Sequence, residues 1–175
     1  MEYKNLERLK SVLQKEIDSG TVNGSAIRII HENEVVYEEE LGYADKEKGI
    51  PVAKDTIYRL FSMSKPITSA AAMLLYERGM LNLFAPVSDY LEGFVSYDWD
   101  SQYGYSYGNL MRIMVDTIKA ASNGSIGEFG WDGYTGTYFF ADPKEKLILI
   151  YMIQRCGGPN PSFTRKLRSI VYSAL

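Results

Sequence analysis

Two residues one helical turn apart, Ser62 and Lys65, are the pair in this sequence best suited to covalent chemistry. A serine hydroxyl is a weak nucleophile until a base removes its proton. A desolvated lysine can serve as that base, because burial disfavours the ammonium form. Side chains three residues apart share one face of a helix, so the Lys65 amine would stand about one turn from the hydroxyl and within hydrogen-bond reach. The spacing Ser-x-x-Lys therefore predicts an activated nucleophile, although such pairs also arise by chance in helices.

The remaining reactive side chains exclude several other chemistries. His31 is the only histidine, and it occupies the position where a hairpin should turn. A Ser-His-Asp triad and a His/Cys metal site are therefore not expected. The single cysteine, Cys156, cannot form a disulfide within the chain. We expect neither a metal nor an organic cofactor.

Composition places the chain among ordinary globular proteins. It has 175 residues, 46% apolar and 23% charged, which predicts one domain with a substantial core. A formal net charge of -3 does not indicate a protein that binds nucleic acid. No long apolar run and no basic leader with an apolar core is visible, so neither a membrane segment nor a signal peptide is expected. A cytoplasmic location is the default expectation.

The elements that must position Ser62 can be predicted from hydrophobic spacing. The segment Asn5–Asp18 has one apolar stripe and predicts an amphipathic helix. Residues 25–30 and 34–38 are rich in β-branched side chains and flank a turn, so they predict an antiparallel hairpin. The polar residues 42–54, with their glycine and proline, predict a loop leading to Ser62. An apolar helical pattern then runs from Met63 to Arg78.

The second half of the chain predicts more strands and a last helix. The continuous apolar run Leu147–Gln154 predicts a buried strand. Ser162–Leu175 predicts a terminal amphipathic helix. Strands flanked by helices favour layered packing. We therefore predict an α+β fold, with an antiparallel sheet of about five strands, both terminal helices on one face and the helix after Ser62 on the other.

The stretch from Tyr58 to Ala71, which contains Ser62-Met63-Ser64-Lys65, closely resembles the penicillin-recognising serine hydrolases. It is most similar to the branch of class C β-lactamases and related esterases. The resemblance implies the α/β domain of the β-lactamase/transpeptidase-like fold and an active site facing a helical domain. It also implies a small-molecule ester or β-lactam substrate and an acyl-serine mechanism. Ser62 would be the nucleophile and Lys65 its proton partner.

A second stretch, from Gly127 to Asp142-Pro143, resembles the strand that carries the third conserved motif of that family and the hairpin after it, with Leu147–Gln154 as the partner strand. Trp131-Asp132-Gly133 matches its Trp-Gly-Gly form, with Asp132 in place of a small residue. The resemblance implies that this strand edge runs along the nucleophile and that the N–H groups of Tyr134 and Ser62 form the oxyanion hole. A carboxylate near that hole would repel developing negative charge unless it points away or is paired. Alternatively, Trp131 is a core residue and Asp132 a turn residue.

The family's second motif, Tyr-x-Asn, has only a displaced counterpart. Tyr107-Gly108-Asn109 matches the motif in residue type and spacing, and a Tyr107 phenolate could accept the Ser62 proton. However, the segment around Tyr107 resembles a later strand of the family, so Tyr107 is also interpreted as an ordinary strand residue. The long segment that carries the helical domain in the family is missing. We therefore predict that residues 1–175 form a single truncated α/β domain, with the deletion junction near 95–102.

Two further interpretations stay open at the level of sequence. The chain could be a non-catalytic remnant that binds a ligand or partner through its aromatic residues. It could also be a minimal scaffold, produced by natural or engineered deletion. Loss of a covering domain would expose apolar surface, which predicts association as a homodimer. The leading hypothesis is a weak serine hydrolase that acts on esters or amides through Ser62.

Overall fold

A computed structural model describes residues 3–82, 104–108 and 111–175, with the backbone alone for Tyr107 and Gly108. The predicted deletion junction near 95–102 lies outside these residues. Among them, no helix is long and apolar enough to span a bilayer.

The described residues form an eight-stranded sheet whose neighbouring strands are all antiparallel. The α+β class is confirmed, but the expected number of about five strands is wrong. In sequence order the strands are β1 (Gly24–His31), β2 (Glu34–Asp45), β3 (Ile50–Pro51), β4 (Tyr105–Gly108), β5 (Met111–Met114), β6 (Phe129–Asp132), β7 (Tyr138–Asp142) and β8 (Leu147–Ile153). Across the sheet the order is β3-β2-β1-β8-β7-β6-β5-β4.

Part of the difference comes from a segment whose polar residues, glycine and proline are typical of a loop. Residues 42–54 were predicted as a loop, yet β2 continues to Asp45 and β3 pairs with it. Gly42 has a φ of +73°, and a Cβ there would lie 2.4 Å from the Asn23 carbonyl oxygen. Glycine therefore lets β2 pass close to its neighbour instead of ending it. Pro51 lies on β3, at the edge of the sheet, where a missing N–H is tolerated.

Both terminal helices pack on one face of the sheet, as the sequence predicted. A 3₁₀ turn (Tyr3–Leu6) leads into α1 (Glu7–Asp18), and α4 spans Pro161–Tyr172. Their apolar stripes meet alternate residues of the central strands, because successive strand side chains point to opposite faces. The resulting core includes Leu9, Leu13, Ile27, Ile29, Phe140, Leu149, Tyr151, Phe163, Leu167 and Val171.

A buried ion pair fixes α4 to the sheet. Arg168 is 2% exposed and Glu128 is 1% exposed. Arg168 Nη1 donates to Glu128 Oε1 at 2.8 Å and to the Tyr138 hydroxyl at 3.0 Å, and Nε donates to Ser122 Oγ at 2.9 Å. The partners satisfy the guanidinium donors, so the charge is buried without losing its hydrogen bonds.

The opposite face of the sheet carries the helix that follows Ser62. This helix, α2 (Lys65–Glu77), contacts β6, and the chain leaves it through Gly79 in the left-handed conformation at φ +70°. A short helix, α3 (Thr117–Ala120), follows β5. The outward side of α2 and the turn after it remain apolar and exposed at Ile67 (63%), Leu74 (53%) and Met80 (69%).

Candidate active site

Ser62 lies in a 3₁₀ turn, Phe61–Ser64, that runs directly into α2. Phe61, the first residue of this turn, has a φ of +49°, a conformation that is costly for a bulky residue. Strained backbone of this kind is concentrated at functional sites, where the surrounding structure holds it in place. Pro66 occupies the first turn of α2, where no intrahelical N–H bond is lost. The sequence prediction that Ser62 stands at a helix start is therefore correct in position, with a tighter turn than an α-helix.

Two backbone donors near Ser62 are available to a ligand. In the part of the chain that the structure describes, no acceptor receives the N–H of Ser62 or that of Tyr134. The ring centroids of Phe61 and Tyr134 are 5.9 Å apart, so the turn before Ser62 and the segment after β6 are adjacent. Unpaired N–H groups at a helix start favour an oxyanion, because the helix dipole adds partial positive charge there.

The end of β6 packs against the backbone that precedes Ser62. A Cβ on Gly133 would lie 2.5 Å from the Leu60 carbonyl oxygen and 2.0 Å from Thr137 Oγ1. Thr137 Oγ1 donates to the Leu60 carbonyl at 3.4 Å, and Gln154 Nε2 donates to the Arg59 carbonyl at 3.1 Å. Glycine at position 133 thus permits the close approach that sets the position of Ser62 relative to β6.

The Lys65 side chain extends to β6 instead of to Ser62. Its Nζ lies 5.5 Å from the centroid of the Trp131 ring, a cation–π distance. Among the described residues, no hydrogen bond joins the Lys65 amine to the Ser62 hydroxyl. The expected hydrogen bond is therefore absent in this structure, while Ser62, Lys65 and Trp131 do lie on the same side of the sheet.

Asp132 points away from Ser62 and is paired. Strand alternation places it on the face opposite Trp131, beside its cross-strand partner Tyr138. Arg112 Nη1 donates to Asp132 Oδ2 at 3.0 Å. Burial of Arg112 opposes its charge, but neighbouring Tyr138 and Asp132 outweigh that effect and raise its pKa above the ordinary value. Asp132 therefore points away from the proposed oxyanion site and is paired with a cation, and either condition would limit its repulsion of negative charge there.

Tyr107 lies on β4, two strands from β6 in the sheet order. Its backbone pairs with that of Arg112. Strands are spaced about 4.8 Å apart, which puts the Tyr107 backbone roughly 10 Å from β6. The Tyr107 side chain and Asn109 lie outside the described residues, so the catalytic role of Tyr107 stays a prediction.

Sequence reasoning did not identify Arg112 and Thr137 as residues that shape the site. Arg112 contacts Asp132 across two neighbouring strands, and Thr137 contacts the backbone before Ser62. The signal for Arg112 was present in the sequence. It is the one charged residue of the short strand Met111–Met114, and an acid on the core-facing side of β6 requires a cation nearby.

Residues 9–105 match the model of the beta-lactamase family. The chain belongs to this family. Esterase EstB of Burkholderia gladioli is 36% identical over 87 residues, which are 50% of this chain and 22% of that protein. The mitochondrial serine beta-lactamase-like protein LACTB of Homo sapiens is 30% identical over 97 residues, 55% of this chain and 18% of that protein. The matched part spans about a fifth of the length of these curated relatives.

Solved structures share the fold over nearly the whole chain. EstCE1, a hydrolase with promiscuous acyltransferase activity, superimposes with a TM-score of 0.84 at 14% identity, covering 97% of this chain and 99% of that one. A class C beta-lactamase in complex with cefoxitin gives a TM-score of 0.77 at 10% identity, covering 98% and 99%. An octameric penicillin-binding protein homologue from Pyrococcus abyssi gives 0.76 at 12%, covering 96% and 77%. The chain therefore has the beta-lactamase/transpeptidase-like fold.

Proposed function

We propose that the protein is a weak serine hydrolase that acts on small esters or related acyl compounds through an acyl-serine at Ser62. The observation that carries this proposal is that two N–H groups have no acceptor among the described residues: that of Ser62, at a helix start, and that of Tyr134, in the adjacent segment after β6. Such donors stabilise the oxyanion that forms when a serine attacks a carbonyl. The relatives named as esterase and beta-lactamase-like support the same class of substrate.

The reaction would proceed in two steps. In the first step, Ser62 Oγ bonds to the substrate carbonyl carbon, its proton passes to the Lys65 amine, and the leaving alcohol departs with that proton. In the second step, water attacks the acyl-serine and releases the acid. Lys65 must leave Trp131 to reach the Ser62 hydroxyl. We expect slow turnover, because a missing or misplaced general base typically costs about 10²–10⁴-fold in rate.

Labelling of the intact chain with a fluorophosphonate tests the proposal. Intact mass would count the adducts, and peptide mapping would place them. We expect one adduct on Ser62, together with slow hydrolysis of a p-nitrophenyl ester. Ser62→Ala should abolish both, and Lys65→Ala should slow both by about 10²–10⁴-fold. Ser64→Ala is the matched control, because Ser64 lies in the same turn with its hydroxyl hydrogen-bonded to the Phe61 carbonyl.

Two outcomes would contradict the proposal. A folded protein that takes no adduct would show that Ser62 is not activated, and ester hydrolysis that persists in Ser62→Ala would place the chemistry elsewhere. A chromogenic cephalosporin extends the same assay to β-lactams, where we expect acylation with little turnover. Tyr107→Phe should lower the ester rate only if the Tyr107 phenol takes part in proton transfer.

One observation favours a second candidate function, a non-catalytic member that binds a ligand. Lys65 lies over Trp131 and is not hydrogen-bonded to Ser62 in the described part of the chain. That arrangement suits a binding cleft as well as a resting enzyme. Absence of an adduct, combined with saturable binding of an ester analogue, would support this candidate. The deletion junction near 95–102 stays a prediction.

We also propose that the chain forms a homodimer through the exposed apolar residues Ile67, Leu74 and Met80. Exposed apolar patches on soluble proteins usually mark interfaces. Light scattering should give the mass of a dimer for the wild type and that of a monomer for Leu74→Glu. Ile118→Glu, at an exposed apolar residue on α3, is the control. A wild-type monomer at all micromolar concentrations would contradict the proposal.

A further inference from the structure

A cavity lies on the face of the sheet away from Ser62. It occupies about 400 Å³ between α4, α3 and the ends of β4 to β7, and we name it the back cavity. Its lining residues are Tyr105, Arg112, Lys119, Ala120, Ala121, Ser122, Asp132, Tyr138, Pro159, Pro161, Thr164, Arg165 and Arg168. Volumes of this order accommodate small organic ligands. Asp132 lines the back cavity while Trp131, next to it on β6, faces Lys65, so the two sites lie on opposite faces of one strand.

Positive charge dominates the lining of the back cavity. Four lining side chains are cationic and one, Asp132, is anionic. Arg168 is neutralised by Glu128 from behind the cavity, and Lys119 has an exposed partner in Asp116 at 3.4 Å. Within the described residues, no carboxylate lies within ion-pair distance of Arg165. An excess of positive charge thus remains at the mouth of the cavity.

Arg112 supplies a fixed donor inside the back cavity. It is 8% exposed, and its guanidinium carbon lies 5.7 Å from the Tyr105 ring centroid and 5.2 Å from that of Tyr138. Asp132 is its hydrogen-bond acceptor among the described residues. A guanidinium has five N–H donors, so this bond leaves most of them for another acceptor. A planar guanidinium held between aromatic rings is preorganised to bind a carboxylate.

Apolar groups make up the rest of the wall. Pro159, Pro161 and the Tyr105 ring line the same cavity as the cations. A ligand that fits both parts carries one anionic group and a compact apolar body. We propose that the back cavity binds a small organic carboxylate, with the carboxylate at Arg112 and Arg165 and the apolar body against Tyr105 and the two prolines. This site is independent of the proposed hydrolysis at Ser62.

Calorimetric titration with benzoate tests the site. We expect saturable one-to-one binding to the wild type and, for Arg165→Gln, an affinity about tenfold weaker, corresponding to ~1.4 kcal/mol. Lys166→Gln is the matched control, since it removes one positive charge from the neighbouring position of α4 and lies outside the lining. Benzamide, which has the same shape without the charge, should bind at least tenfold more weakly. Inorganic phosphate, which has charge without the apolar body, should also bind more weakly.

The remaining outcomes distinguish this site from the Ser62 face. Lys65→Gln should leave benzoate affinity unchanged, and loss of binding in that variant would move the site to the Ser62 face and overturn the proposal. Unchanged affinity in Arg165→Gln, equal binding of benzamide or phosphate, or no saturable binding of benzoate would each overturn it as well. Arg112→Lys keeps the positive charge but removes the planar guanidinium and its paired N–H donors. It should weaken binding in a protein whose circular dichroism matches the wild type.

Discussion

Gly133 offers the sharpest test of how β6 positions Ser62. In Gly133→Ala the new methyl group would lie 2.0 Å from Thr137 Oγ1 and 2.5 Å from the Leu60 carbonyl oxygen. Both distances are far shorter than a van der Waals contact. Thr137 is fully buried and the Leu60 atom is backbone, so neither can move away without displacing its surroundings. Overpacking of this kind costs about 1–3 kcal/mol of folding stability.

The same clash should displace Ser62, the proposed nucleophile. Leu60 lies two residues before Ser62, and its carbonyl accepts the Met63 N–H at 3.0 Å in the turn that holds Ser62. A displacement near 1 Å at a reacting group can cost about 10²-fold in rate. We therefore expect Gly133→Ala to be labelled by a fluorophosphonate about two orders of magnitude more slowly. Its free energy of unfolding in urea should fall by about 1–3 kcal/mol.

A double variant separates the two contacts. Thr137→Ala removes the nearer clashing atom but leaves the Leu60 carbonyl in place. Adding it to Gly133→Ala should recover part of the lost stability, with a coupling energy of about 0.5–3 kcal/mol. The labelling rate should stay low, because the Leu60 contact remains. If Gly133→Ala is as stable as the wild type and is labelled at the same rate, then contact with β6 does not set the position of Ser62.

Two further predictions concern the buried polar groups of the fold. Glu128→Gln leaves the Arg168 charge without its carboxylate inside the core, and urea unfolding should show a loss of about 3–5 kcal/mol; a loss below 1 kcal/mol would contradict the pairing. The Tyr58 hydroxyl is buried without a partner among the described residues, and burial, together with the charge of Glu40, raises the pKa of Tyr58 to about 12. Because the folded state holds this proton more tightly, the contribution of Tyr58 to stability is complete below pH 10, the ordinary tyrosine pKa, and is lost as the pH rises towards 12. Tyr58→Phe should thus be near neutral at pH 7 and should reduce the loss of stability between pH 10 and 12; an unchanged alkaline slope would contradict this assignment.

Local sequence determined the elements around Ser62. The apolar stripe of Asn5–Asp18, the hairpin strands and the helix ending before Gly79 all follow from periods of 3.6 or 2 residues and from glycine at helix ends. These patterns record which side of an element is buried, and burial is the main source of stability. The turn at Ser62 was also visible, because its signal lies within a few consecutive residues.

The strands within residues 42–54 could not be predicted from the sequence. The two-residue strand β3 has no periodicity to detect, and it forms because its longer neighbour β2 offers unpaired backbone groups. Gly42 was interpreted as a loop residue, whereas in the sheet it allows close passage of β2 beside Asn23. The number of strands was therefore decided by tertiary pairing.

Some features of the candidate site could be predicted from the sequence, and others depend on the tertiary structure. The sequence proposed Ser62 and Lys65 by type and spacing and Trp131 by resemblance to a family motif, and it indicated the condition under which Asp132 is tolerated. Only the fold decided that Asp132 faces Arg112, twenty positions away, and that Lys65 lies over Trp131. Whether a side chain is paired depends on neighbours brought together by sheet register. Local spacing carries no information about contacts between distant strands, so these pairings could be read only from the three-dimensional structure.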